Sequence, residues 1–186
     1  SLWDTARAWL SRTPIMGSSP GDEDDEQIVK NYVESHISAQ VNHGEEMAAR
    51  MSKWGMGDSE AMKARFASIA EGARDFLMPN GEIDRARAGL LFIESYRDLP
   101  LLSWPRTLID RMIELEEAMV KWRHSHARMV ERIIGRRIGT GGSSGVDYLD
   151  ATTSYRVFTD LWSVRTILIK NELRPKLENP EFYGFA

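Results

Sequence analysis

Apolar residues recur every three or four positions through almost the whole chain and nowhere alternate in a sustained run. That period gathers them on one face of a helix, whereas a half-buried strand needs alternation. The spacing therefore predicts an all-α fold, a bundle of long helices. The longest stripe, Leu108, Met112, Leu115, Met119, Trp122, His126, Met129, Val130 and Ile133, falls on a helix predicted over 105–134. Upstream, a short helix over 2–11 stops at Arg12-Thr13-Pro14, and a Gly/Ser/Pro linker from Gly17 to Gly21 meets the acidic run Asp22 to Glu26. Acidic side chains suit a helix start through the macrodipole, and the run reads as a solvated turn. A polar helix follows over 26–54, then one capped by Ser59 and reaching about Leu77, so that residues 22–78 are expected to form a protruding helical pair. A strongly buried segment over 82–98, a short piece over 147–152 and a helix predicted over 159–170 follow, and Pro175 and Pro180 mark an irregular tail.

At 186 residues the chain suits one domain, or a large piece of one. It starts at Ser1 without an initiator methionine, which suggests the rear portion of something longer. A formal charge of −4 supplies no basic excess to neutralise phosphates, so nucleic acid is not an expected partner. The absence of cysteine excludes disulfides, iron–sulfur clusters and thiolate-bound haem, leaving histidine as the soft metal ligand. No secretory leader and no run of 18 apolar residues occurs, so a cytoplasmic protein without a membrane span is expected.

Residues 122–145 join a histidine-bearing helix to the loop Gly139-Thr-Gly-Gly-Ser-Ser-Gly145. Glycines and small hydroxyls let the backbone come close to a ligand. His126 lies four residues from Trp122 and Val130, three from Met129 and seven from Ile133, hence on their face. Within an apolar stripe its two ring nitrogens need a donor and an acceptor, or a metal. On spacing alone a satisfied core histidine accounts for His126 more readily than a ligand does, and a flexible connector accounts for the loop. His124, two residues earlier, points away and reads as exposed. No His-Glu-x-x-His pattern is present, and the loop follows a helix and lacks the Lys-Ser/Thr of a phosphate loop, so zinc hydrolysis and phosphoryl transfer have no support.

Taken jointly, Trp122-Arg123-x-x-His126, the Gly139 to Gly145 loop, Tyr148-Leu149 and Leu161-Trp162-x-x-Arg165-Thr166 resemble the C-terminal half of the tryptophan 2,3-dioxygenase family. Trp9-Leu10-x-Arg12-Thr13-Pro14 and Tyr96-Arg97-x-x-Pro100 extend the resemblance over essentially the whole chain. The resemblance implies an all-α, haem b-binding oxidoreductase of tryptophan catabolism and the kynurenine pathway, usually a homotetramer. Such an enzyme adds both atoms of O2 across the indole C2–C3 bond of L-tryptophan, giving N-formylkynurenine. By position His126 matches the proximal ligand to haem iron. Thr140 matches the residue that binds the substrate's amino-acid end, and Gly139 and Gly141 lie beside the haem edge. One or two of Arg123, Arg128, Arg132, Arg136 and Arg137 could serve the haem propionates, although surface arginines completing a helix end explain each one singly.

The family's distal residues and its carboxylate-binding tyrosine and arginine belong to its N-terminal half. A chain of this sequence by itself is therefore expected to bind haem weakly and not to turn over substrate, with the N-terminal half, as a separate chain or otherwise, completing the pocket. Two alternatives stay open: a monooxygenase of the same haem superfamily acting on a modified indole or a phenol, and a haem-free helical interaction module.

Overall fold

The computed structural model describes residues 1–55, 58–136 and 145–184. Among them are seven α-helices: α1 (Leu2–Leu10), α2 (Asp25–Trp54), α3 (Ser59–Leu77), α4 (Arg85–Ser95), α5 (Ser103–Ile134), α6 (Gly145–Thr152) and α7 (Thr159–Ser163). Short 3-10 turns join them, and the described residues contain no strand, only a single bridge between Ile15 and Ser18. The fold is all-α, as the spacing implies. No helix among the described residues is long and apolar enough to cross a membrane.

The chain divides into two compact units, one of Ser1–Arg106 with Asp160–Ala186, the other of Thr107–Thr159. The first is built round α4, whose Leu90, Leu91, Phe92 and Ile93 are fully enclosed. Phe92 anchors an aromatic cluster, with Tyr32 edge-on at 5.4 Å, Tyr96 at 4.6 Å and Tyr183 at 5.5 Å between ring centroids. Such pairs add stabilisation beyond the area they bury. Burial pushes the Tyr96 and Tyr183 phenols up to about 12. Both stay protonated and donate, Tyr96 to the Pro175 carbonyl and Tyr183 to the Pro14 carbonyl. These bonds pin the irregular tail to the helices.

Two glycines set how closely helices approach. A Cβ on Gly89 of α4 would lie 2.3 Å from the Leu10 carbonyl oxygen, and one on Gly44 of α2 would lie 2.5 Å from Cβ of Phe66 in α3. Charged side chains then tie the elements. Arg7 of α1 bonds Asp84 at 2.6 Å and Asp160 at 3.1 Å, and Arg87 of α4 bonds the same Asp160 at 2.9 Å. Asp160 is 5% exposed, so the two guanidinium groups compensate a charge that would be costly alone.

Three expectations change in detail. The N-cap of α3 is Asp58, whose carboxylate accepts from the Glu60 and Ala61 amides; Ser59 is the first helical residue. The acidic run is not wholly solvated, because Asp25 is buried and bonds Arg85 at 2.8 and 3.1 Å. The helix expected over 159–170 ends at Ser163, tightens into a 3-10 turn over Val164–Ile167, and gives way to extended backbone at Leu168.

Candidate functional site

Successive helical residues are about 100° apart, so the charged and apolar positions of α5 sort into two faces within the second unit. Leu115, Trp122, His126, Met129 and Ile133 share one of them. Its apolar members are open, Trp122 at 65% exposure and Ile133 at 73%. Roughly a quarter turn round lie Ile109, Glu116, Arg123 and Ala127, of which Ile109, Glu116 and Ala127 are buried. Leu115, Trp122, Met129 and Ile133 of the stripe that dominates the sequence therefore face outward, its Leu108, Met112, Met119 and Val130 are half-buried, and the chain packs on the neighbouring face. A contiguous exposed apolar strip of this length marks a binding surface.

His126 lies partly buried in the open strip. Its ring stacks on Trp122, with centroids 5.2 Å apart and planes within 5°. Among the described residues neither ring nitrogen has a hydrogen-bond partner, and the core-histidine alternative is not what this arrangement offers. An imidazole held by a helix, braced by an indole and free at its nitrogens can ligate a metal. His124 is exposed on another side. The described residues hold no cluster of three His, Asp or Glu side chains. A metal at His126 would thus need its other ligands from outside the described residues, and the exposed indole and aliphatic side chains beside the imidazole are apolar, as packing against the face of a macrocycle requires.

The packed face of α5 holds the segment that follows the glycine-rich stretch. Glu116, 3% exposed, accepts from the Val157 amide and, at 2.9 Å, from the Phe158 amide. Arg123 donates to the Tyr155 carbonyl at 2.8 Å and the Thr152 carbonyl at 3.4 Å. Arg128 bonds the Asp150 carboxylate and, at 2.5 Å, Glu131. Arg136 bonds Asp147 at 2.9 Å and Glu131 at 3.0 Å. The hydrogen bond from Arg128 holds the Asp150 carboxyl below its ordinary range, and the same bond raises Arg128. Of the arginines considered for propionates, Arg123, Arg128 and Arg136 are thus engaged within the chain. Arg132 is exposed, and Arg137 lies outside the described residues, as do Gly139, Thr140 and Gly141.

Composition and spacing gave no sign of Glu116 or Asp150. The available signal was a carboxylate one helical heptad before Arg123, and the acids Asp147 and Asp150 three apart just beyond the loop. His36 was equally silent. Fully enclosed on α2, it meets the Ile167 carbonyl at 2.8 Å, an oxygen that Gln40 also engages at 2.6 Å. Burial lowers its pKa, so it is held neutral.

Comparison with known proteins agrees with the family resemblance read from the sequence. A tryptophan 2,3-dioxygenase-like protein of Xanthomonas campestris pv. campestris is 44% identical over 96% of this chain and 68% of its own length. Tryptophan 2,3-dioxygenase 2 of Ralstonia nicotianae is 44% identical over 100% of the chain and 53% of its own length. Tryptophan 2,3-dioxygenase of Sorangium cellulosum is 45% identical over 95% of the chain and 45% of its own length. The chain thus spans between about half and two thirds of the curated relatives it matches. Since the family model for tryptophan 2,3-dioxygenase also matches residues 1–168, taking in α1 through α7 and the His126 helix, the chain belongs to the tryptophan 2,3-dioxygenase family.

Proposed function

We propose that this chain supplies the proximal wall of a haem oxygenase site that opens the indole ring of L-tryptophan at C2–C3 with O2, giving N-formylkynurenine. The observation that carries the reading is the partnerless imidazole of His126, braced by Trp122 on an open apolar strip. When bound, haem supplies an iron that activates O2 for insertion into an electron-rich ring. His126 holds that iron through one ring nitrogen. Trp122 and Met129, on the same face of α5, would exclude water from the group that His126 holds. By resemblance to the family, Thr140 receives the amino-acid end of the substrate, and Gly139 and Gly141 allow close approach at the haem edge.

The other wall comes from the family's preceding half, and the assembled protein is a homotetramer in the cytoplasm, with α2 and α3 as its protruding helical pair. The chain is produced alone and together with that preceding half, and haem uptake is followed at the Soret band. His126→Ala should abolish or shift the band. Product formed under 18O2 should gain two labelled atoms. A gain of one label indicates the monooxygenase alternative, and no haem uptake in company with the preceding half indicates a helical interaction module.

A further inference from the structure

Four side chains, Glu116, Arg123 and Arg128 on α5 and Arg136 just past its end, meet their partners in strict reverse order. From Glu116 through Arg123 and Arg128 to Arg136, the partners run from Val157 and Phe158, through Tyr155 and Thr152, to Asp150 and Asp147. The chain therefore returns antiparallel along the helix that carries His126, bound at points on both sides of that residue. Arg136 precedes the glycine-rich stretch and Asp147 follows it, so their ion pair and the Arg128–Asp150 pair join its two shoulders.

We infer that Arg123 and Arg128 are positioning residues: they clamp the chain over 150–155 against α5 and so fix the return limb of the glycine-rich stretch relative to His126. This inference rests on the reading of Thr140 as the residue that receives the substrate. The chemistry at the two positions differs. Arg123 donates to carbonyl oxygens only, both times from Nη1, and a lysine, one atom shorter, does not bring its nitrogen to the same point. Arg128 meets a carboxylate, which makes its contact exchangeable in sense. Fixing the two ends of a chain segment removes conformations that a bound ligand would otherwise have to select against. Loosening the clamp should thus weaken substrate binding and leave iron ligation intact.

The test uses the full chain, assembled with the family's preceding half and loaded with haem. Asp150→Asn, Arg123→Lys and the swap of Arg128→Asp with Asp150→Arg are compared with the parent. Tryptophan affinity is read by titrating the haem spectrum, iron ligation by the Soret position, and backbone order by hydrogen exchange at residues 145–158. Asp150→Asn and Arg123→Lys should weaken tryptophan binding several-fold and speed exchange over 145–158, with the Soret band unmoved, and the swap should restore both. Faster exchange with unchanged tryptophan affinity would overturn the inference, as would a Soret shift in the single variants. If the parent takes up haem but no tryptophan, the reading of function fails. The clamp is then judged by exchange alone, supported if protection is lost in Asp150→Asn and regained in the swap, overturned if it never changes.

Discussion

Replacing glycine by alanine should have opposite effects at two helical positions of this chain, and the sign follows from what a Cβ would meet. At Gly89 the new carbon would sit 2.3 Å from the Leu10 carbonyl oxygen and 3.0 Å from Oγ1 of Thr13. An ordinary close C···O contact is about 3.3 Å, so α1 and α4 would have to part by about 1 Å. The obstructing atom is backbone, and Thr13 is itself held by its bond to the Leu10 carbonyl at 2.8 Å. Overpacking of this kind costs about 2–4 kcal/mol, against a gain of about 0.5–1 kcal/mol for removing glycine from a helix interior. At Gly72, on the exposed side of α3, nothing lies within 4 Å, and the gain stands alone. For a chain of this length 1 kcal/mol moves Tm by about 2–4 °C. Thermal unfolding followed by circular dichroism should show Gly89→Ala melting about 2–14 °C lower and Gly72→Ala about 1–4 °C higher. If Gly89→Ala melts at or above the parent, α1 and α4 do not approach as described and the argument fails.

Three other outcomes are expected. His36 is held neutral by burial, so its folded pKa lies below its unfolded value near 6.5; stability should be whole above that pH and fall by up to about 1.4 kcal/mol per unit as pH drops through the window below it. Urea unfolding between pH 7 and 5 should show this slope, and His36→Gln should flatten it. Glu116→Ala strands two backbone amides that its carboxylate satisfies and should cost about 2–4 kcal/mol, while Glu116→Gln, which keeps an acceptor, should cost less than half of that; hydrogen exchange at Val157 and Phe158 separates the two. Ile133→Glu, on the open strip at 73% exposure, should leave the Tm of the isolated chain within about 1 °C, as for other exposed sites, and reduce haem uptake; a large loss of Tm would show that the strip is packed within the chain.

The long helices were legible because period and length agree: α2, α3 and α5 each carry several turns of consistent pattern. What the sequence concealed depends on partners far along the chain. Nothing local marks Asp25 as buried, since the group that compensates it, Arg85, lies 60 residues on. The final helix was expected to continue past Ser163, but the chain tightens into a 3-10 turn over Val164–Ile167, where the Ile167 carbonyl meets His36 and Gln40 across 131 and 127 residues. Asp58 and Ser59 are both good caps by residue type; only the backbone at Asp58, extended at φ −87° and ψ 107°, decides between them. For the site, the stripe and its histidine were readable, yet periodicity gives the face and not its direction. The apolar strip turned out to point away from the packed side of α5.

That direction explains how one helix serves two purposes. A helix whose apolar stripe lay in its own unit's core would bury His126, and the imidazole would then need protein partners for both nitrogens. In α5 the load of packing falls on the neighbouring face, where two small or apolar residues, Ile109 and Ala127, stand among side chains that bond backbone and carboxylate groups of the returning segment. Burying a carboxylate such as Glu116 is tolerable there because two amides meet it. Directional polar contacts fix register more tightly than apolar contacts, which permit sliding. The packed face therefore sets how the chain over 147–158 returns along α5, while the open face leaves an indole and aliphatic side chains exposed beside a half-buried imidazole. Exchanging the two roles, with a polar strip outward and an apolar seam inward, would enclose His126 and require protein partners for both of its nitrogens.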